Sequence, residues 1–383
     1  MIAVIKNGLL LIGTVLGSLI AVELGLVLSG AYGDLAGQRL APSPAIWERP
    51  RNAVEAHGHP DLKTPIKVMY DDDGVRNHDP ETTRRKRRIV GFFGDSFTEN
   101  RRVEDRFSLT HLLDRAAAGR FRVANFGVDA YGIDQSYLRY RKYADLDLGT
   151  VVYVFCENDL RNLYETDLTF VDGAGTVHFR VPKARPLLRL MGRLRLPYLI
   201  IDAYHQAQAL WKNHTGPARN YDDRLDRIAD RMAAARKQQK QRLRDAYAES
   251  VVADITGPAP STKTLTLARK FRMVLAQWRA EVTARGRQFK ILVLPRATDR
   301  DVARKLIGPA GPDVLYLSDA MADYDRYRFK HDVHWNEAGN LKAAAMVLAD
   351  PVFLGGFDAA ASAAVLDSGR AAIIAYYDAG GGN

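Results

Sequence analysis

The sequence predicts an α/β protein: a parallel β-sheet with layers of helix on either side. Two observations carry this. From Ile89 onward, strand-length apolar runs alternate with helix-length amphipathic segments. One run, Val151–Phe155, is continuously apolar, as expected of a parallel strand covered on both faces. A third observation picks out one strand end. The run Arg88-Ile89-Val90-Gly91-Phe92-Phe93 stops at Gly94-Asp95-Ser96, and a helix-length segment follows from about Phe107. A hydroxyl therefore stands at the carboxyl end of a strand, the edge where open α/β sheets bind ligands. Backbone N–H groups at such a turn can stabilise developing negative charge. Taken alone, Asp95 and Ser96 are equally well explained as helix caps.

With 383 residues and 47% hydrophobic content, the chain can bury one large core or two modest ones. Its formal net charge of +10 is compatible with an anionic partner, such as acidic glycan, anionic lipid or nucleic acid. There is no zinc-finger spacing, RNP-like aromatic motif or repeat, so no nucleic-acid partner is expected. The single cysteine, Cys156, excludes an intramolecular disulfide and a multi-cysteine metal site.

From the amino terminus, Gly8 to Val22 carry no charge, and Leu24-Gly25-Leu26-Val27-Leu28 extends the run beyond Glu23. That length predicts a transmembrane anchor within residues 1–30. A cleaved signal peptide is the rival, without a clean small-x-small site. A short leader before the first helix favours an amino terminus on the cytoplasmic side, although Arg39, Arg49 and Arg51 follow soon after. Residues 31–87, with Pro42, Pro44, Pro50, Pro60, Pro65 and Pro80, read as a linker and lead-in region. Within it, Val68-Met69-Tyr70 before Asp71-Asp72-Asp73-Gly74 forms a short strand entering a turn. Arg84-Arg85-Lys86-Arg87-Arg88 reads as a solvated edge, with lipid contact the weaker reading.

The alternation then runs through strand Ile89–Phe93, helix Phe107–Arg115, strand Phe121–Asn125, a helix from Gln135 and strand Val151–Phe155. A basic helical insertion at about 180–262 is expected to stand over the sheet's active edge. Its part from Tyr221 to Ala248 reads as a solvated face. Helix Thr262–Arg285 leads into strand Phe289–Leu294, a short strand Val314–Leu317, and helix Glu337–Leu348. The tail, residues 351–383, is alanine-rich and carries no functional reading.

Four loops after strands matter: Gly94-Asp95-Ser96, Asn125 to Ala130, Asn158-Asp159, and Asp332-Val333-His334. A parallel sheet brings such loops to one edge. Their chemistry fits one task. A serine hydroxyl needs a base, for which His334 is suited, and the base needs a carboxylate to hold its tautomer. A tetrahedral intermediate needs donors: the Ser96 N–H, a backbone N–H of the second loop, and the Asn158 amide. Each loop alone passes for a turn. All four in this order do not.

In these residues the chain resembles the SGNH (GDSL-type) hydrolase superfamily, over about Ile89 to Leu348. The resemblance implies a flavodoxin-like three-layer α/β/α fold and ester chemistry, with no metal or organic cofactor. It makes Ser96 the nucleophile, His334 the base, and Ser96, Ala130 and Asn158 the oxyanion donors. Tyr70 to Asn77 is also similar to the "D-x-x-G-x-R" run of membrane-anchored bacterial members. Three departures stand out. Ala130 replaces the second-block glycine, and can supply its N–H provided φ stays negative. Cys156 replaces a glycine before Asn158. The acid usually lies three residues before the histidine, where this chain has His331. Asp332 takes the role instead, as in the Asp-x-His-Trp branch acting on exopolysaccharide.

The reading is a membrane-anchored serine esterase or O-acyltransferase outside the cytoplasm, acting on short acyl groups, acetyl foremost, of a cell-envelope or secreted glycan. A polysaccharide-modification complex is a possible setting. The polar loops Glu99-Asn100-Arg101-Arg102 and Asp159-Leu160-Arg161-Asn162 argue against an acyl-chain tunnel. The arginines from Arg180 to Arg195 suit a polyanionic glycan or, with their leucines, a lipid interface. The alternative is a non-catalytic subunit of the same fold that binds glycan or scaffolds an envelope complex.

Overall fold

A computed structural model describes residues 52–58, 61–62, 65–71, 73–76, 88–166, 168–180, 250–319, 321 and 323–379, with residues 14, 17–25 and 49. The chain divides into two compact units: residues 1–50 with 182–245, and residues 51–181 with 246–383. In the first unit, residues 17–25 are helical and largely exposed. The rest of the expected anchor, and residues 181–249 of the expected insertion, lie outside the described residues. Among the described residues, no helix is long and apolar enough to cross a membrane.

The second unit is an α/β domain. Its strands are β1 (Ala53–His57), β2 (Ile66–Tyr70), β3 (Ile89–Phe93), β4 (Arg122–Asn125), β5 (Leu148–Phe155), β6 (Thr169–Val171), β7 (Val177–Phe179), β8 (Gln288–Val293) and β9 (Val314–Tyr316). Five of them form a parallel sheet in the order β4-β3-β5-β8-β9. All eight residues of β5 are buried, which accounts for its unbroken apolar sequence. Alternate side chains of a strand face opposite ways. Val151, Tyr153 and Phe155 meet one helix layer: α3 (Ile133–Lys142), α4 (Asn158–Thr166), α5 (Thr262–Ala284) and α6 (Ala297–Leu306). Val152 and Val154 pack with a second cluster, built from α1 (Ser96–Glu99), α2 (Leu109–Ala116), α7 (Glu337–Ala349) and α8 (Ala359–Asp378).

The strand order positions the site. The chain leaves β3 outward to β4, then crosses back to place β5 on the other side of β3. The carboxyl ends of β3 and β5 therefore flank the point where strand order reverses, which opens a crevice in sheets of this kind. Ser96 follows β3, and Asn158 follows β5.

Two regions hold more structure than the sequence reading assigned them, and the short strand expected at Val68–Tyr70 is part of β2. The lead-in is not simply a linker: β1 and β2 pair as an antiparallel hairpin, and Leu62, Ile66, Val68 and Tyr70 share a small core with Val103, Phe107 and Phe329. The tail packs into the domain as well. Phe353, Leu354 and Val365 are buried in the second cluster, and the Tyr377 hydroxyl donates to Glu337 at 2.7 Å.

Candidate active site

The turn between β3 and α1 is tightly packed. A Cβ on Gly94 would lie 2.3 Å from Thr98 Oγ1 and 2.9 Å from the Val154 carbonyl, so a side chain there would displace the strand end. Asp95 caps α1, accepting from the Phe97 N–H at 2.9 Å. The capping reading of Gly-Asp-Ser thus holds for Asp95. Ser96 has a second relationship: its Oγ lies 2.6 Å from His334 Nε2. Both residues are buried, at 6% and 8% exposure, so water competes weakly for that bond.

His334 Nδ1 is in a short hydrogen bond with Asp332 Oδ1, which also accepts the His334 backbone N–H at 3.2 Å. An ionised carboxylate at Nδ1 calls for a proton there, leaving Nε2 to accept from the serine. Burial opposes the Asp332 charge. The His334 hydrogen bond and the nearby His334 and Arg102 charges outweigh it, holding the carboxyl well below the usual range. The Phe97 ring lies 4.5 Å from the imidazole and 5.7 Å from Trp335, walling one side. His331, three residues before the base, faces elsewhere: its N–H donates to Asp61 Oδ2 at 2.9 Å, and its ring pairs with Asp61 Oδ1.

The second loop is pinned against α1. The Asn125 amide donates to the Thr98 carbonyl at 2.7 Å, and its oxygen accepts the Gly127 N–H at 3.0 Å. A Cβ on Gly127 would lie 2.4 Å from the Glu99 nitrogen, so only glycine permits this approach. The buried Glu99 carboxylate accepts the Asp129 N–H at 2.7 Å. Ala130 follows with φ of 62°, against the expectation of a negative φ. The loop's anchors at Asp129 and at the Ala130 carbonyl, which accepts from Asn162 at 3.3 Å, override alanine's preference. Alanine here adopts the left-handed backbone that a glycine takes without strain. The N–H groups of Ser96 and Ala130 have no hydrogen-bond partner among the described residues.

Asn158 opens α4, and its amide donates one N–H to Asp95 Oδ2 at 3.1 Å. A primary amide carries two, so a second donor remains. Burial raises the Asp95 carboxyl above its ordinary value, and burial with the Asp95 charge raises Asp159 further. Asp159 is held by the Tyr153 hydroxyl at 2.6 Å and the Cys156 N–H at 3.1 Å. Sequence reasoning missed Asp95 as the residue holding Asn158. Its cap position concealed that role.

Cys156, Glu157 and Asp299 offer donor atoms within 4.8 Å of one another. A guanidinium already sits among them: Arg296 Nη2 is 2.9 Å from Cys156 Sγ and from Asp299 Oδ1, and also bonds Glu157. A divalent cation would have to displace that cation, so the cluster suits an ion-pair network. Two arginines of the polar loops are likewise engaged within the protein. Arg101 reaches His57 Nε2 and Asp129 Oδ2, each at 3.0 Å, while Arg102 Nε donates to Asp332 Oδ2 at 2.6 Å.

The arrangement thus holds a hydroxyl against an imidazole, the imidazole against a carboxylate, and N–H donors in the loops after β3, β4 and β5. No protein-family model matches the chain, and no curated protein matches it either.

Proposed function

We propose that the chain is a serine esterase or O-acyltransferase of the SGNH (GDSL-type) superfamily, with a flavodoxin-like fold. The strand order supports the fold. The observation that carries the function is the 2.6 Å contact of Ser96 Oγ with His334 Nε2, backed by Asp332. In this reading Ser96 attacks the ester carbonyl as His334 Nε2 takes its proton. The N–H groups of Ser96 and Ala130 and the free Asn158 N–H stabilise the oxyanion. His334 then protonates the departing alcohol, leaving an acyl-Ser96. Water or a sugar hydroxyl, deprotonated by the same imidazole, accepts the acyl group and frees Ser96.

The substrate proposed is a short acyl ester, acetyl foremost, of a cell-envelope or secreted glycan. Its support is the polar setting of Ser96, beside Asn158, Asp332 and Arg102. Anchoring through residues 8–28, an extracytoplasmic catalytic domain and work within an envelope polysaccharide-modification complex belong to the same proposal, on the strength of the uncharged leader.

A fluorophosphonate probe tests the chemistry. Labelling of the intact chain is expected, and its loss in folded Ser96→Ala and His334→Ala chains. Because triad members act as a unit, the double variant is expected to be little worse than either single in ester turnover. A folded wild-type chain that resists the probe would instead support the second reading, a non-catalytic glycan-binding or scaffolding subunit. One observation favours that reading: the left-handed Ala130, a strained residue at an oxyanion position.

A further inference from the structure

The Asp332 carboxylate is held from both ends. Oδ1 accepts from His334, and Oδ2 accepts from Arg102 Nε at 2.6 Å. Arg102 stands on the segment after α1, 230 residues away in sequence, so this bond joins the nucleophile block to the base block. We propose that Arg102 is a positioning residue for His334: it fixes the Asp332 carboxylate and, by sharing its charge, keeps the imidazole less basic than an unshared aspartate would. This rests on the reading of Ser96, His334 and Asp332 as an acyl-transfer triad.

The argument is geometric and electrostatic. Aspartate and histidine two residues apart share one short loop, and Arg102 adds an anchor on the second carboxylate oxygen from a segment distant in sequence. The pair is only partly screened, with side-chain exposures of 23% for Arg102 and 19% for Asp332. A cation on the far oxygen withdraws part of the carboxylate's field from the imidazole, so protonated His334 is stabilised less. Neutral imidazole is the state that accepts the Ser96 proton, so a cation on the far oxygen favours it.

Other charges face this base. Asp332 does so from its own loop, and Asp95 from the turn before α1. Arg296 lies 5.2 Å from the centre of the Phe97 ring that packs, tilted, against the imidazole. Substituting Arg102 leaves Asp95 and Arg296 in place, and Asp332 Oδ1 stays tied to the His334 backbone N–H at 3.2 Å, so the change in His334 reads the Arg102 charge.

The test follows His334 itself. In the full chain labelled with 13Cε1-histidine, the His334 signal is assigned by its absence from His334→Gln and titrated in wild type, Arg102→Gln, Arg102→Met and Arg102→Lys. The uncharged variants are expected to raise the His334 pKa by about 0.5–1 unit, and the lysine variant to restore most of the wild-type value. The acid limb of kcat/KM for a short aryl ester moves up by the same amount. An unmoved His334 titration in either folded uncharged variant overturns the proposal, even where stability or activity falls. The two readings fail separately: a shifted titration in a wild-type chain that neither labels nor turns over keeps the Arg102 coupling and sinks the triad.

Discussion

Arg76 and Asp105 form an ion pair of 2.7 Å with side chains only 2% and 11% exposed. The same guanidinium donates to the carbonyls of Glu99 at 2.5 Å and Val103 at 2.8 Å, and to that of Asn100. One side chain thus satisfies the Glu99 and Asn100 carbonyls at the carboxyl end of α1, one helical turn beyond Ser96. Arg76→Ala would strand a buried carboxylate and several carbonyls. A loss of about 3–5 kcal/mol in urea unfolding is expected. Arg76→Lys should recover little of it, because an ammonium lacks the planar fork that serves these acceptors together.

Asn158 has one N–H on Asp95 and, among the described residues, a second with no acceptor. Asn158→Ala is expected to lower kcat for a short aryl ester by about 100- to 1000-fold with KM little changed, the signature of a donor that acts in the transition state. Steady-state kinetics on the folded variant checks this. A loss confined to KM would contradict the assignment.

Ala130 is exposed and carries a left-handed backbone in a loop that is otherwise largely buried. Ala130→Gly is expected to stabilise the protein by roughly 1 kcal/mol in urea unfolding, the steric cost removed outweighing glycine's extra freedom when unfolded. Fluorophosphonate labelling should persist, since the N–H is retained. Ala130→Val, with a branched side chain at positive φ, should lose stability instead.

The apolar strands were legible because parallel strands must be apolar on both faces, and Ser96, Asn158 and His334 were legible as polar residues at strand ends. β1 was not. Its Ala-Val-Glu-Ala-His sequence is half-exposed along its length and offers no apolar run. Helix α8 hid for another reason: it buries Ser362, Val365 and Gly369, small residues that leave no hydrophobic stripe. Charged residues misled most. Glu99, Arg101 and Arg102 read as a loop open to ligand, yet Glu99 is buried under Tyr70 and all three bond residues distant in sequence. The φ of Ala130 was likewise set by its loop and not by its side chain.

Asp134 gives the domain a pH signature separate from the triad. It accepts from the Thr166 hydroxyl and the Gln135 N–H, each at 2.9 Å, and burial raises its pKa to about 6. The folded state therefore binds a proton at a pH where the unfolded chain does not, so this contribution favours folding at lower pH and is lost as pH rises through 6. Between pH 7.5 and 5 it should add about 1 kcal/mol. Asp134→Asn should flatten that part of the stability profile, measured by urea unfolding across the range.

Ser96 and His334 are 238 residues apart. A ribosome delivers the hydroxyl early and the imidazole only after β9, the last strand of the sheet, has been made. During synthesis the serine is an ordinary alcohol, without a partner to draw off its proton. On the proposed mechanism, reactivity arrives with closure of the whole sheet, and a truncated or half-folded chain is expected to be chemically silent. Probe labelling of Ser96 consequently counts finished molecules, and its time course during refolding would follow the slowest long-range step rather than the early local helices.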